Sequence, residues 1–145
     1  MRNYLGPVLI QLPPVLKYNP IIAEPFFKLL HMQYAKYSFE LEIINPTWLE
    51  KLSKNLMAKY DVSCVISQSD NHYPYAETIE GKHIYIRFQG PGLLYASSYS
   101  DDALKAYADK MMDWRNKGHT IWAFFNNDVK GCALKDAEKL LTLTQ

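Results

Sequence analysis

The stretch His83-Ile84-Tyr85-Ile86-Arg87-Phe88-Gln89-Gly90 decides how this chain is read. β-Branched and aromatic side chains run together here and stop at a glycine, which is the punctuation of a strand. Period-two alternation sets Arg87 and Gln89 on one face and Ile86 and Phe88 on the other, towards covering helices. A permanently charged guanidinium on an inward face needs an anion or a carboxylate beside it. Four similar runs lie around this one: Val8 to Leu12, Tyr37 to Glu42, Val62 to Ser67 and Thr120 to Asn126. Each is rich in Val, Ile, Tyr or Phe and bounded by Gly, Pro, Asn or Ser, as expected of a sheet covered on both faces.

Helical patterns separate the runs. Ser100-Asp101-Asp102 opens a segment whose Leu104, Tyr107, Ala108, Met111 and Met112 share one face. Ser100 suits the N-cap, the aspartates suit the positive helix start, and Gly118 after Lys117 suits a left-handed stop. Asn45-Pro46-Thr47-Trp48 sets a cap residue before a proline at the first helical position, with Leu49, Leu52 and Leu56 as the buried stripe and an end near Tyr60-Asp61. A third helix spans about Ile22 to Tyr34, with Pro25 in its first turn or the start moved later. The last runs from Leu134 to Leu143 with Ala137, Leu140 and Leu141 on one side. Strand and helix in alternation predict parallel strands with right-handed crossovers, so the fold class is α/β. The longest loop is Gln68 to Gly81.

Composition narrows the function classes. The 145 residues carry 16 basic and 15 acidic side chains, a net charge of +1, with 48% hydrophobic and 21% charged residues. That is one globular domain with core enough to need no staples. No two Lys or Arg residues are adjacent, so there is no electrostatic footprint for nucleic acid or an anionic membrane. The apolar run Pro7 to Ile10 is too short for a signal peptide or a span. Cys64 and Cys132 stand apart and read as buried thiols, which fits a cytoplasmic setting. His31, His72, His83 and His119 lack ligand spacing. Neither a zinc motif nor a Ser-His-Asp arrangement is present, so no metal is expected and the cofactor stays unknown.

Leu5-Gly6-Pro7-Val8-Leu9-Ile10-Gln11-Leu12-Pro13-Pro14, Tyr85 to Gly90, Tyr95-Ala96-Ser97-Ser98-Tyr99-Ser100, Phe124-Phe125-Asn126-Asn127-Asp128 and the segment Gly131 to Leu140 together form a pattern. By it the chain resembles the YecE-like family, domain of unknown function 72. The resemblance implies a TIM-type barrel and aligns the motifs with its later strands. Residues 1–145 would then be a partial barrel, five parallel strands matching the last five of eight, with the first three strand-helix units missing. The length agrees, since a whole barrel takes about 250 residues. Open edges at Val8 to Leu12 and Thr120 to Asn126 would require a partner, either a second copy or a complementary barrel fragment.

In such barrels the working residues sit at the carboxyl ends of the strands. That nominates Gln11, Glu40, Glu42, Ser67, Asp70, Arg87, Gln89, Asn126, Asn127 and Asp128. Glu40 and Glu42 share a face opposite Phe39 and Leu41 and lie two strands from Arg87. They form either an ion pair filling the barrel or an acid-base or anion site. The loops Gly90-Pro91-Gly92 and Asn126-Asn127-Asp128 to Gly131 fall where barrels often bind phosphate, or they serve turn geometry alone. Tyr95 and Tyr99 match family positions and either line the mouth or pack. The family's motif Glu, apolar, Arg, His, two residues, Trp aligns with Glu42 to Trp48, with Ile44 in place of the arginine and Asn45 in place of the histidine; Gln89 stands where another family histidine is usual. Neither Asn nor Gln shuttles a proton.

Three functions remain open. The first is a partial barrel, inactive alone, binding an anion or phosphate at the rim. The second is an enzyme for a phosphorylated or sugar-like substrate once another chain completes the barrel, with Glu42 or Glu40 as base and Arg87 as anchor. The third is an interaction module using its open edges.

Overall fold

The computed structural model describes residues 5–79 and 81–145. Along the chain lie β1 (Val8–Gln11), α1 (Pro20–Gln33), β2 (Phe39–Glu42), a 3-10 turn (Pro46–Leu49), α2 (Lys51–Lys59), β3 (Val62–Cys64), β4 (Ile66–Gln68), β5 (His83–Phe88), α3 (Asp101–Asn116), β6 (Thr120–Phe125) and α4 (Cys132–Leu143). All pairings are parallel, in two three-stranded sheets ordered β1-β2-β3 and β4-β5-β6. The α/β class and the parallel direction thus hold.

The expected five strands are six. The run Val62 to Ser67 divides at Val65, because β2 reaches no further: Leu41 pairs Cys64, the Val65 N–H donates to the Leu41 carbonyl at 3.0 Å, and from Ile66 the ladder belongs to β5. One continuous segment therefore serves both sheets, handed from β2 to β5 by their stagger.

The helices differ from expectation where local chemistry outweighs the apolar count. α1 starts at Pro20, earlier than Ile22, because the Asn19 side chain accepts the Ile21 N–H at 3.0 Å and Pro20 fills the first turn; Pro25 lies inside the helix. The second helix is interrupted. Asn45 caps the turn Pro46–Leu49, Glu50 is extended (φ −70°, ψ 158°), and α2 begins afresh at Lys51. The break changes the helical phase, so Leu52 is 70% exposed while Trp48, Ser53 and Met57 are buried. α3 agrees with its signals: Ser100 Oγ accepts the Ala103 N–H at 3.2 Å and Gly118 follows at φ +94°, although Met112 faces outward. In α4 the buried stripe is Asp136 and Leu140, and Leu141 is exposed.

Two apolar clusters form on the helix side of the strands. One joins Leu41 and Ile43 to Ala23, Phe27 and Leu30 of α1, with Trp48 and Met57. The other joins Ile84, Ile86 and Phe88 of β5 to Leu104, Ala108, Met111 and Trp114 of α3. The opposite, inner face carries Glu40 and Glu42 on β2, Ser67 on β4, Tyr85 and Arg87 on β5, and Trp122 and Phe124 on β6, as the register and period two require. Tyr85 stacks on Phe124 with ring centroids 4.6 Å apart. The Trp122 ring reaches across this face to the entry of β1, where a Cβ on Gly6 would lie 2.7 Å from it.

Candidate functional site

Four strands bring one polar constellation together on the inner face. Glu42 is wholly buried, and its oxygens accept from Ser67 Oγ at 3.1 Å, Gln89 Nε2 at 2.8 Å and Arg87 Nη1. All three partners are donors, which suits an ionised carboxylate. Gln89 is itself buried, and its Oε1 accepts from Asn126 Nδ2 at 3.2 Å. The Arg87 side chain keeps 15% of its surface in contact with solvent, and its single hydrogen bond among the described residues is the one to Glu42. A charged pair with one member sealed and the other reaching the rim is therefore the centre of the site.

Glu40, two residues earlier on the same face, is 1% exposed and its Oε2 has no hydrogen-bond partner among the described residues. Burial without compensation penalises the charged form and pushes its pKa up to about 8. The two carboxyls thus stand in different environments, one surrounded by three donors and one with an unpartnered oxygen among the described residues.

The loops after β4 and β5 meet through a hydrogen bond between the hydroxyls of Tyr73 and Tyr95. The Tyr73 phenol is pushed up to about 12, first by burial and then by that bond, and it lies within the fields of Glu42 and Arg87. Tyr95 holds a left-handed backbone, φ +63°, pinned by its N–H on the Gln89 carbonyl at 2.6 Å and by its carbonyl accepting from Val129 N–H at 3.2 Å. Such a conformation is rare for an aromatic residue and persists only where the surroundings fix it.

The remaining predicted site residues divide. Gln11 is exposed beside Glu42 in the register and makes no side-chain bond to the constellation among those described. Gly90 and Gly92 have already used their amides: Gly90 N–H donates to Tyr99 Oη at 2.9 Å and Gly92 N–H to Asp70 Oδ2 at 3.1 Å. Tyr99 is buried, with its hydroxyl donating to Gln68 Oε1 at 2.6 Å. Asn127 is buried too, its Nδ2 donating to Asp136 Oδ2 at 2.6 Å and the Ser97 carbonyl at 2.9 Å. The Asp136 carboxylate also accepts from Ser98 Oγ at 2.5 Å and Tyr99 N–H at 3.1 Å. Tyr99, Asn127 and Asp136 therefore tie the β5 and β6 loops to α4. Asp128 is exposed.

Asp136 and Tyr73 were missed by sequence reasoning. Asp136 had a signal, since it stands four residues before Leu140 on the stripe that packs. Tyr73, inside a long loop, had none. Of the histidines, His83 Nδ1 accepts from Trp122 Nε1 at 3.1 Å, and burial, then Lys82, lowers its pKa. His119 bonds the Gly81 carbonyl at 2.9 Å and His31 lies 3.2 Å from Asp61. Among the described residues no group of three His, Cys, Asp or Glu side chains could hold a metal ion, and no helix is long and apolar enough to cross a membrane.

Parallel strands and crossover helices define an α/β protein, with three charged side chains, Glu40, Glu42 and Arg87, on the inner side of its sheets. The chain belongs to the DUF72 family, proteins of unknown function also called YecE-like, whose sequence model matches residues 1–145. A DUF72 family protein of Thermotoga maritima has a similar structure, with a TM-score of 0.80 at 20% identity over 93% of this chain and 56% of its own. A DUF72 family protein of Enterococcus faecalis gives 0.80 at 13% identity over 95% and 58%, and a second structure of a DUF72 family protein from that organism gives 0.76 at 14% over 94% and 60%. The chain thus spans 56–60% of the length of these solved relatives. No curated protein matches it.

Proposed function

We propose that this chain forms an arc of a TIM-type barrel wall, inactive by itself, that holds the oxyanion of a small ligand, a phosphate or a carboxylate, at the carboxyl rim of its strands. One observation carries the reading: the guanidinium of Arg87 spends one donor on buried Glu42 and keeps 15% of the side chain in solvent, while Tyr73, bonded through its hydroxyl to that of Tyr95, lies within its field. Glu42 orients the arginine from behind, and the planar fork offers an oxyanion two parallel donors. The glycine-loop amides, turned inward, leave the contact to Arg87 and the two phenols. Lying within an arc, the site would gain its far wall from further strands.

Titration with inorganic phosphate while following thermal unfolding tests this. Binding at 100 times Kd would stabilise the fold by about 2.7 kcal/mol. The midpoint should rise in the native protein, less in Arg87→Lys, and not at all in Arg87→Ala. An unchanged midpoint in the native protein, or an equal rise in Arg87→Ala, removes the reading.

The enzyme reading draws on Glu40. Burial pushes its carboxyl up to about 8, and a carboxyl held protonated near neutral pH on the same strand face as the hydrogen-bonded Glu42 is where an acid role would sit. On a completed barrel it would act on a phosphorylated or sugar-like substrate anchored by Arg87.

A further inference from the structure

The segment Val62 to Gln68 changes partners halfway, and a cavity lies beside the change. Its first half pairs with β2, Ser63 opposite Glu40, and its second half with β5, beginning at Ile66 opposite Ile86. In the ladders, the earlier β5 residues His83, Ile84 and Tyr85 pair with β6 alone. Here, at the amino ends of the strands, a cavity of about 400 Å³ has Ser38, Glu40, Asp61, Ser63, Lys82 and His83 in its wall. That volume falls within the roughly 300–1,000 Å³ of small-molecule sites. The wall belongs to the middle of the arc: β2 lies between β1 and β3, and β5 between β4 and β6, so the cavity borders neither outer strand edge. Gly81, at φ +73°, comes so near that a Cβ would lie 3.2 Å from Ser63 Oγ, which brings the segment before β5 against β3.

Glu40 is buried while Asp61 and Lys82 are exposed, so the Glu40 carboxyl stands at the inner end of the cavity and the other two at its mouth. Glu40 Oε2 finds no donor among the described residues, Lys82 included. His83 adds no charge: its Nδ1 accepts from Trp122 Nε1 at 3.1 Å, which requires a neutral ring, and burial, then Lys82, lowers its pKa. Ser38 and Ser63 bring hydroxyls, which accept as well as donate. A buried acceptor lacking its donor is costly, and a cationic donor offsets that cost best. Among the described residues no group of three His, Cys, Asp or Glu side chains could hold a metal ion, so the cation that suits this wall is an organic one.

We infer that this cavity binds a small molecule through a primary ammonium group, with the Glu40 carboxyl as its anchor. An ammonium has three donors and no acceptor, so it can give one to Glu40 Oε2 and the rest to the hydroxyls of the wall. Such a charge-assisted bond is about twice as strong as a neutral one. Lys82 carries the same charge as the ligand and weakens its binding from the mouth. The inference is independent of the rim reading, which concerns Arg87 at the carboxyl ends of the strands, and no phosphate enters its test.

Ethylammonium chloride is titrated into the whole chain, with potassium chloride at equal ionic strength as the control. The thermal midpoint should rise with ethylammonium alone. The carbon-13 resonance of the Glu40 carboxyl, assigned by its loss in Glu40→Gln, should move and saturate. Glu40→Gln should weaken Kd roughly tenfold or more. Ala58→Phe, at an exposed position of the wall, should weaken it by narrowing the cavity, and Lys82→Met should tighten it severalfold. Circular dichroism confirms that each variant folds. An equal response to potassium, a Glu40 resonance unmoved by ethylammonium, or a Kd unchanged in Glu40→Gln overturns the inference. So does a Glu40 resonance that shifts in Lys82→Met before any ligand is added, which would mean that Lys82 itself serves the carboxyl.

Discussion

Glu42 and Glu40 are two residues apart on one strand face and obey opposite rules. Three donors surround the first. The second has a bare oxygen sealed from water, so folding favours its protonated form, with a pKa about 8 against an ordinary 4.5. The sign of the linkage follows. Below about pH 4.5 both folded and unfolded chains hold the proton and Glu40 is silent; between 4.5 and 8 only the folded chain holds it, so stability falls as pH rises, by up to roughly 1.4 kcal/mol per unit; above 8 the loss is complete. Glu40→Gln mimics the protonated form. Urea midpoints measured across this window should converge for the two proteins at low pH, with the variant ahead at high pH. Parallel profiles would show that Glu40 finds a partner. Both glutamates, Arg87 and Gln89 were legible in the sequence because period two assigns a face without further knowledge. Their division of labour was not, since Ser67 and Gln89 choose Glu42 over Glu40 through a stagger of strands that no single run reveals.

At the scale of elements, side-chain caps decided what apolar counting did not. Asn19 and Pro20 start α1, and Glu50 breaks the second helix, so Ser53 rather than Leu52 turns inward, its Oγ donating to the Trp48 and Glu50 carbonyls at 2.7 and 2.8 Å. A heptad-like count of leucines assumes unbroken phase, and one extended residue cancels it. α4 shows the same from the other side: its inward stripe includes a carboxylate. Asp136 holds Ser98, Tyr99 and Asn127, and so fastens the loops after β5 and β6 to the last helix. Asp136→Leu keeps the bulk and strands two buried donors, Tyr99 N–H and Asn127 Nδ2, each costing about 1–3 kcal/mol when left unmade, while exposed Ser98 can turn to water. Their losses overlap, and a net destabilisation of roughly 3 kcal/mol is expected in urea unfolding, together with faster hydrogen exchange throughout Cys132–Leu143. A change under 1 kcal/mol would mean that the helix is held by Leu140 alone.

For the molecule as a whole, the same asymmetry recurs: one face apolar under helices, the other carrying Glu40, Glu42, Ser67 and Arg87 beside the rings of Tyr85, Trp122 and Phe124. The alternation of His83 to Gln89 foretold that division, and the parallel order foretold the neighbours of β5. The handover at Val65 and the reach of Trp122 to Gly6 were beyond it, because both depend on how strands are staggered and curved in space. Membership of the DUF72 family fixes the relatives without supplying a reaction. The proposed ligand contact, Arg87, is the one inner-face charge among the described residues that touches solvent. Arg87 is one of three arginines, with Arg2 and Arg115, so its side-chain nitrogen signal can be assigned by loss in Arg87→Lys. The most direct measurement is a nitrogen-15 titration of these side chains with inorganic phosphate: the Arg87 Nε resonance should move and saturate while that of Arg115 stays still, and an Arg87 signal unmoved at saturating phosphate would contradict the account.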